Sequence, residues 1–276
     1  MSNLMQMLRR AAANRDMKLV IPACCAAVTG GSFPESAFSI PTIMSTFASA
    51  ASIATGVATV AQLNGKDTRV VCLAGDGGTY DIGMGTLSAA AERNEDILYI
   101  CYDNEIYGNT GGQRSSATPP GASTTSTLGG KQETKKDIMG IMAAHRIPYA
   151  ATISLAHIDD TLRKLQFALD ARGFRFLHAL SPCPTGWKSE PAMGIELVRL
   201  AVRSGLFPVF EVFDGERYVI NVEPEFSGEA LMMYLSLQRR FSKSGVTEET
   251  LRPSIERYWN YLRLMSGRIV PARRDV

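Results

Sequence analysis

Val70-Val71-Cys72-Leu73-Ala74-Gly75-Asp76-Gly77-Gly78-Thr79-Tyr80-Asp81-Ile82-Gly83 is the stretch from which the rest of the chain is read. The unbroken apolar run reads as a strand buried on both faces, and the glycines and acids after it as a turn into a helix over 82–93. Glycine lets backbone N–H groups approach an anion closely, and the start of the following helix points its positive end at the same place. A diphosphate is favoured there. Asp76 beside it makes two anions side by side, and a divalent cation resolves the conflict. Mg²⁺ typically takes one or two protein carboxylates or carbonyls together with phosphate oxygens. Gly-Asp-Gly alone is a common turn, so the context decides.

That context repeats one pattern. Apolar runs at 19–23, 97–102, 149–153, 174–179 and 208–213 predict further strands, and helical patterns fall at 44–63, 134–145, 157–171 and 192–204. The alternation predicts an α/β fold with a doubly wound, mostly parallel sheet. After residue 222 the sheet pattern stops, and helices over 228–241 and 247–265 form a C-terminal helical tail. The organisation expected is therefore a cofactor-binding domain over 1–222 and a tail over 223–276, with a short amphipathic helix at 4–13.

In open α/β sheets ligands bind beyond the carboxyl ends of the strands. The run 97–102 is followed by Asp103-Asn104-Glu105-Ile106-Tyr107-Gly108-Asn109. One βαβ unit makes the two strand ends neighbours. An Asn side-chain oxygen and a main-chain carbonyl suit a hard cation, so Asp76, Asn104 and the carbonyl of Ile106 form the candidate metal set.

The bulk numbers exclude other classes. The chain has 276 residues, 45% of them hydrophobic and 20% charged, which suits a globular protein able to bury a core. A net charge of +2 gives no electrostatic case for nucleic acid. Lys135-Lys136 and Arg273-Arg274 read as a solvated face and a frayed tail. No window approaches roughly 18 consecutive apolar residues, so no membrane span is expected. No signal peptide is visible either. Five cysteines, at 24, 25, 72, 101 and 183, make no disulfide framework and predict a reducing cytoplasm. Cys72 and Cys101 lie inside strands and read as core. His145 reads as a helix-end residue and His178 as a satisfied core residue; the three histidines lack ligand spacing. No serine-nucleophile elbow or Walker A lysine appears. The small residues of helix 44–63 suit tight helix–sheet packing or a subunit contact. The irregular stretch 108–131 reads as functional or disordered. The loop Ser32–Ala37 with Ser39–Thr42, and Arg114, are weaker candidates for contact with substrate or a partner.

Gly-Asp-Gly followed one crossover later by Asn resembles the diphosphate signature of thiamine diphosphate enzymes. The longer strings are more specific. Gly75–Met84, Glu92-Arg93-Asn94-Glu95-Asp96-Ile97, the run Tyr102–Pro119 and Cys183-Pro184-Thr185-Gly186-Trp187 resemble the beta subunit of pyruvate:ferredoxin oxidoreductase. The resemblance runs from about residue 19 to 221, and Leu237-Gln238-Arg239-Arg240-Phe241 also fits. It implies a sheet of the thiamine diphosphate-binding type. It implies that Asp76, Asn104 and Ile106 ligate Mg²⁺ and that Gly75, Gly77, Gly78 and Thr110 line the diphosphate, with Tyr107 in the same loop. It implies that Asn109 lies close to the reacting carbon as a catalytic residue. The implied chemistry is oxidative decarboxylation of a 2-oxoacid, most simply pyruvate, to an acyl-coenzyme A with electrons passed to ferredoxin, or the reverse. The implied partners are an alpha subunit supplying the pyrimidine-binding domain, and gamma and ferredoxin-like delta subunits.

The family's beta subunit holds a [4Fe–4S] cluster with four cysteines. Cys25 and Cys183 match two of them, and the early Cys-x-x-Cys is absent from residues 1–18. Either that pair lies upstream of the given start, which the position of the helix at 4–13 favours, or the cluster is lost or completed by another chain. Loss would leave a cluster-free thiamine diphosphate decarboxylase or carboligase subunit. A non-catalytic assembly subunit is the third expectation.

Overall fold

The structure, a computed structural model, describes residues 2–31 and 34–267. Ser32, Phe33 and the Arg273-Arg274 pair lie outside the described residues. The elements are α1 (Ser2–Ala12), β1 (Met17–Pro22), α2 (Cys25–Gly30), β2 (Thr42–Ser45), α3 (Ala50–Leu63), β3 (Arg69–Gly75), α4 (Met84–Glu92), β4 (Ile97–Asp103) and α5 (Ile138–Ala144). They continue as β5 (Tyr149–Ile153), α6 (Ile158–Asp170), β6 (Arg175–Leu180), α7 (Pro184–Trp187), α8 (Gly194–Arg203), β7 (Val209–Phe213), β8 (Arg217–Val222), α9 (Gly228–Ser236) and α10 (Glu248–Met265).

One sheet runs β2-β1-β3-β4-β6-β5-β7-β8. The first six of these strands are parallel, and β7 and β8 add an antiparallel edge. Successive side chains of each central strand enter opposite cores. Val70, Cys72 and Ala74 of β3 join one cluster, and Val71 and Leu73 join the other. Leu4 and Leu8 of α1 and Leu165 and Leu169 of α6 cover one face. α3, α4, α8, α9 and α10 cover the other, so the sheet is doubly wound. The tail contributes Leu231, Tyr234, Phe241, Ile255 and Trp259 to that second core.

All six expected strands form, and two more were not expected. β2 lies where the sequence predicts the start of helix 44–63; that helix begins only at Ala50. β2 is an edge strand with Ile43 and Met44 exposed, and β8 alternates rather than running apolar. Neither carries the signal of a strand buried on both faces. The helix expected at 134–145 starts at Ile138, where the Asp137 side chain caps it by accepting from the Gly140 N–H at 2.9 Å. The two faces of α3 divide cleanly: Ala50, Ala51, Ala54 and Ala61 are buried, whereas Val60 and Leu63 are exposed.

The antiparallel edge is locked by Glu211 on β7. It accepts from Tyr149 Oη (2.7 Å), Arg163 Nη2 (2.7 Å) and Asn221 Nδ2 (2.6 Å). Burial works against this carboxylate, but its three donors outweigh burial and lower its pKa. A depressed folded-state pKa gives stability that is present above the usual carboxylate range and is lost as pH falls through the folded value. We predict that Glu211→Gln lowers Tm by roughly 2–6 °C near neutral pH. The gap to the unsubstituted chain should close on acidification below about pH 4. Scanning calorimetry across pH checks this; a gap that widens in acid contradicts it.

Candidate thiamine diphosphate and metal site

β3 and β4 are parallel neighbours with Gly75 in register with Tyr102. Asp76 and the Asp103-Asn104 pair therefore leave the sheet at the same edge. The chain after Asp76 does not enter an α-helix directly. Gly77–Asp81 forms a π-helical turn, closed by the Ile82 N–H donating to the Gly77 carbonyl at 3.1 Å, and α4 follows. Such turns widen a helix at functional positions. The glycines are required by close approach. A Cβ on Gly77 would stand 2.5 Å from the Tyr107 ring, and one on Gly83 would stand 2.0 Å from the Gly78 carbonyl oxygen.

A cavity of about 580 Å³ opens at this edge. Gly75, Asp76, Gly77 and Gly78 line one side of it, and Asn104, Ile106, Tyr107, Asn109 and Thr110 line another, together with Cys25. Every expected diphosphate and metal residue thus faces one space. Asp76 is 2% exposed. Its carboxylate accepts from Ser115 Oγ and, among the described residues, forms no ion pair with a Lys, Arg or His. Burial, and then the neighbouring Asp103, push its pKa well above the usual carboxylate range. A buried carboxylate in that condition has much to gain from a cation. The donor chemistry therefore fits Mg²⁺.

Asp103 fares differently. Burial disfavours its charge, but Lys135 Nζ at 2.6 Å and His178 Nε2 at 2.9 Å reverse that and hold its pKa below the usual range. Tyr80 Oη also donates to it at 3.0 Å. The metal loop turns back on itself: Asn104 Oδ1 accepts from the Ile106 N–H at 3.3 Å, and Asn104 Nδ2 donates to Cys25 Sγ at 3.7 Å. The Asn104 carbonyl is taken by the Trp187 indole N–H at 2.7 Å. Tyr107 Oη donates to Asp81 at 2.9 Å, and Thr110 Oγ1 to Gln113 at 2.6 Å. Cys25 Sγ lies 3.4 Å from Asn109 Oδ1. Along residues 104–106 the lining alternates. Asn104 and Ile106 face this cavity, whereas Glu105 faces a second one, of about 620 Å³, with Tyr80, Lys135 and His178.

Cys25 and Cys183 lie in one electrostatic neighbourhood: burial, then Cys183, raise the Cys25 pKa. Cys183 stands at the start of α7, where its sulfur accepts from the Gly186 N–H at 3.4 Å. Cys72 and Cys101 are fully buried, as expected of core residues. Among the described residues no three His, Cys, Asp or Glu side chains are placed to hold a metal ion, so a four-thiolate set does not fit here.

The reading of Lys135-Lys136 as a solvated pair is overturned. Lys135 bridges Asp103 and Glu105, and Lys136 donates to the Tyr80 carbonyl beside Asp81. Both sit before the helix, which starts at Ile138, and the acids and carbonyl that draw them in lie elsewhere in the chain. The stretch 108–131 is a set of hydrogen-bonded turns that delivers Ser115 to Asp76 and Ser116 to Asp81. Arg114 pairs with Glu133 at 3.4 Å. His145 follows α5 and meets Ser88 at 3.1 Å, and His178 is a satisfied buried residue, as expected.

The fold and this crevice define a thiamine diphosphate enzyme. The model of the thiamine pyrophosphate enzyme C-terminal TPP-binding domain matches residues 24–179. The chain is 40% identical over 261 residues to the ketoisovalerate oxidoreductase subunit VorB of Pyrococcus furiosus, covering 90% of this chain and 84% of that one. It is 43% identical over 231 residues to the pyruvate synthase subunit PorB of Methanothermobacter thermautotrophicus, covering 82% and 79%. A 2-oxoglutarate:ferredoxin oxidoreductase from Magnetococcus marinus shares the fold, with a TM-score of 0.62 at 18% identity, over 92% of this chain and 89% of that one. The chain belongs to the family of thiamine diphosphate-binding subunits of the 2-oxoacid oxidoreductases.

Gly83 has only backbone to move against, so Gly83→Ala should distort the π turn. The expected cost is about 1–3 kcal/mol of stability, with weaker thiamine diphosphate binding. Denaturant unfolding and cofactor titration check it; an unchanged midpoint would show that the turn yields freely.

Proposed function

We propose that this chain is the cofactor-carrying beta subunit of a 2-oxoacid:ferredoxin oxidoreductase that converts a short 2-oxoacid, pyruvate or a branched analogue, to its acyl-coenzyme A, or runs the reverse. The observation that carries the reading is the buried carboxylate of Asp76, which among the described residues has no ion-pair partner and faces Asn104 and Ile106 across one cavity. The names of the relatives from Pyrococcus and Methanothermobacter support the substrate class.

In this reading Asp76, Asn104 Oδ1 and the Ile106 carbonyl hold Mg²⁺. Gly75, Gly77, Gly78 and Thr110 receive the diphosphate, with Tyr107 against Gly77. When bound, the thiazolium ring supplies an electron sink for loss of carbon dioxide from a 2-oxoacid. The chain's own work is to bind, orient and exclude water. The Cys25 thiol occupies the Asn109 Oδ1 acceptor, which orients that carboxamide at the cavity wall. We assign Asn109 to the substrate side. An alpha subunit completes the pyrimidine side, gamma and delta subunits complete the complex, and ferredoxin takes the electrons.

No helix among the described residues is long and apolar enough to cross a membrane, and five free thiols suit a cytoplasmic setting. Cys25 and Cys183 share one electrostatic neighbourhood but, among the described residues, join no group of three side chains able to hold a metal ion; this favours one second reading, a cluster-free decarboxylase or carboligase subunit. Iron and sulfide analysis of the purified complex separates the two, since a stoichiometric cluster held by this subunit excludes the second.

Asp76→Ala and Asn104→Ala should each abolish Mg²⁺-dependent thiamine diphosphate binding and 2-oxoacid-dependent ferredoxin reduction, while circular dichroism stays unchanged. Retained cofactor affinity in both variants, measured by calorimetry, would overturn the assignment.

A further inference from the structure

Glu105 sits between the two residues proposed to hold the metal, and its backbone is unusual. Its φ is +63°, the left-handed region that non-glycine residues rarely adopt. Such a conformation persists only where the surroundings over-determine it, and here they do. Thr118 Oγ1 donates to the Glu105 carbonyl at 2.6 Å, and the Glu105 N–H donates to Asp103 at 2.9 Å. The buried carboxylate receives Lys135 Nζ at 2.9 Å and Arg240 Nη2 at 2.6 Å.

Arg240 arrives from the C-terminal segment and is 2% exposed. Its guanidinium lies 4.0 Å over the Trp187 ring, and Trp187 donates to the Asn104 carbonyl. Its Nε donates to Gln238 at 2.9 Å, and Gln238 donates to the Tyr234 carbonyl at 2.6 Å. Its own carbonyl accepts from the Ser123 N–H at 2.8 Å. One side chain thus touches both anchors of the metal loop, the Glu105 carboxylate directly and the Asn104 carbonyl through the indole. Arg240, Glu105, Lys135 and Trp187 do not line the cofactor cavity, so this is not direct ligation.

We infer that Arg240, seconded by Lys135, is a positioning residue for the metal loop: the C-terminal segment sets the geometry in which Asn104 and Ile106 meet the cation. The inference rests on the assignment of those two residues to Mg²⁺. Removing the guanidinium leaves Glu105 buried with one partner fewer and frees the loop to relax from its left-handed turn. A lysine keeps the charge but loses the planar fork that both stacks on Trp187 and reaches Glu105.

The test uses the purified complex carrying Arg240→Lys, Arg240→Met, or Arg240→Met with Glu105→Gln. Hydrogen exchange of residues 104–110 is followed without cofactor. Mg²⁺ affinity is then titrated at saturating thiamine diphosphate after chelation. We expect faster exchange confined to the loop and an Mg²⁺ Kd raised about tenfold or more in Arg240→Lys. The double variant should regain the Tm lost by Arg240→Met but not the Mg²⁺ affinity, because it relieves the stranded charge without restoring the anchor. An Mg²⁺ Kd within about twofold of the unsubstituted complex, or affinity that returns together with Tm, overturns the inference. If Arg240→Met does not assemble, Arg240→Lys and the double variant carry the same decision. If the unsubstituted complex binds no Mg²⁺-dependent cofactor, the metal assignment fails, while loop exchange still decides whether Arg240 holds the loop.

Discussion

Two carboxylates, Asp76 and Asp103, stand at the tips of adjacent strands β3 and β4, where water is excluded from both. Like charges at such sites repel strongly, and the chain treats the two in opposite ways. Asp103 is given a lysine, a histidine and a tyrosine. Asp76 is given a serine and a view of the cavity. The asymmetry separates a carboxylate anchored within the protein from one turned to the cavity, and the rest of the edge is arranged around the two. The π turn sets the backbone close to where an anion would lie, and the glycines keep side chains out of the way.

Much of this was legible in the residues. Continuous apolar runs marked six strands, because a strand covered on both faces is mostly apolar and its few polar side chains, such as Glu211 and His178, must be paired. The meeting of Asp76, Asn104 and Ile106 at one edge was legible because Gly-Asp-Gly and Asp-Asn each follow such a run, and parallel neighbours put their ends together. β2 and β8 were hidden because edge strands are half exposed and alternate instead. Ser115 was hidden for another reason. It comes from a loop whose path depends on long-range hydrogen bonds, and no local pattern in 108–131 records which turn will meet Asp76.

Lys135 and Arg240 show the limit of reading charge as exposure. Each lies in a short basic cluster that would ordinarily be solvated, yet one residue of each cluster is drawn to Glu105. What distinguishes them is the acid they neutralise, and that acid lies far away in the chain. Glu105 itself was overlooked because the residues on either side of it carried the stronger signal.

The distance along the chain has a further consequence. Glu105 and Arg240 are separated by 135 positions, and between them lie half the strands of the sheet. During synthesis from the N-terminus, β3 and β4 can pair while the polypeptide is still short and Lys135 reaches Glu105 soon after, but the second counter-charge, Arg240, arrives only with the segment beyond α9. The contacts around Glu105 are therefore completed late, and a chain released early would carry the paired strands with Glu105 short of one partner.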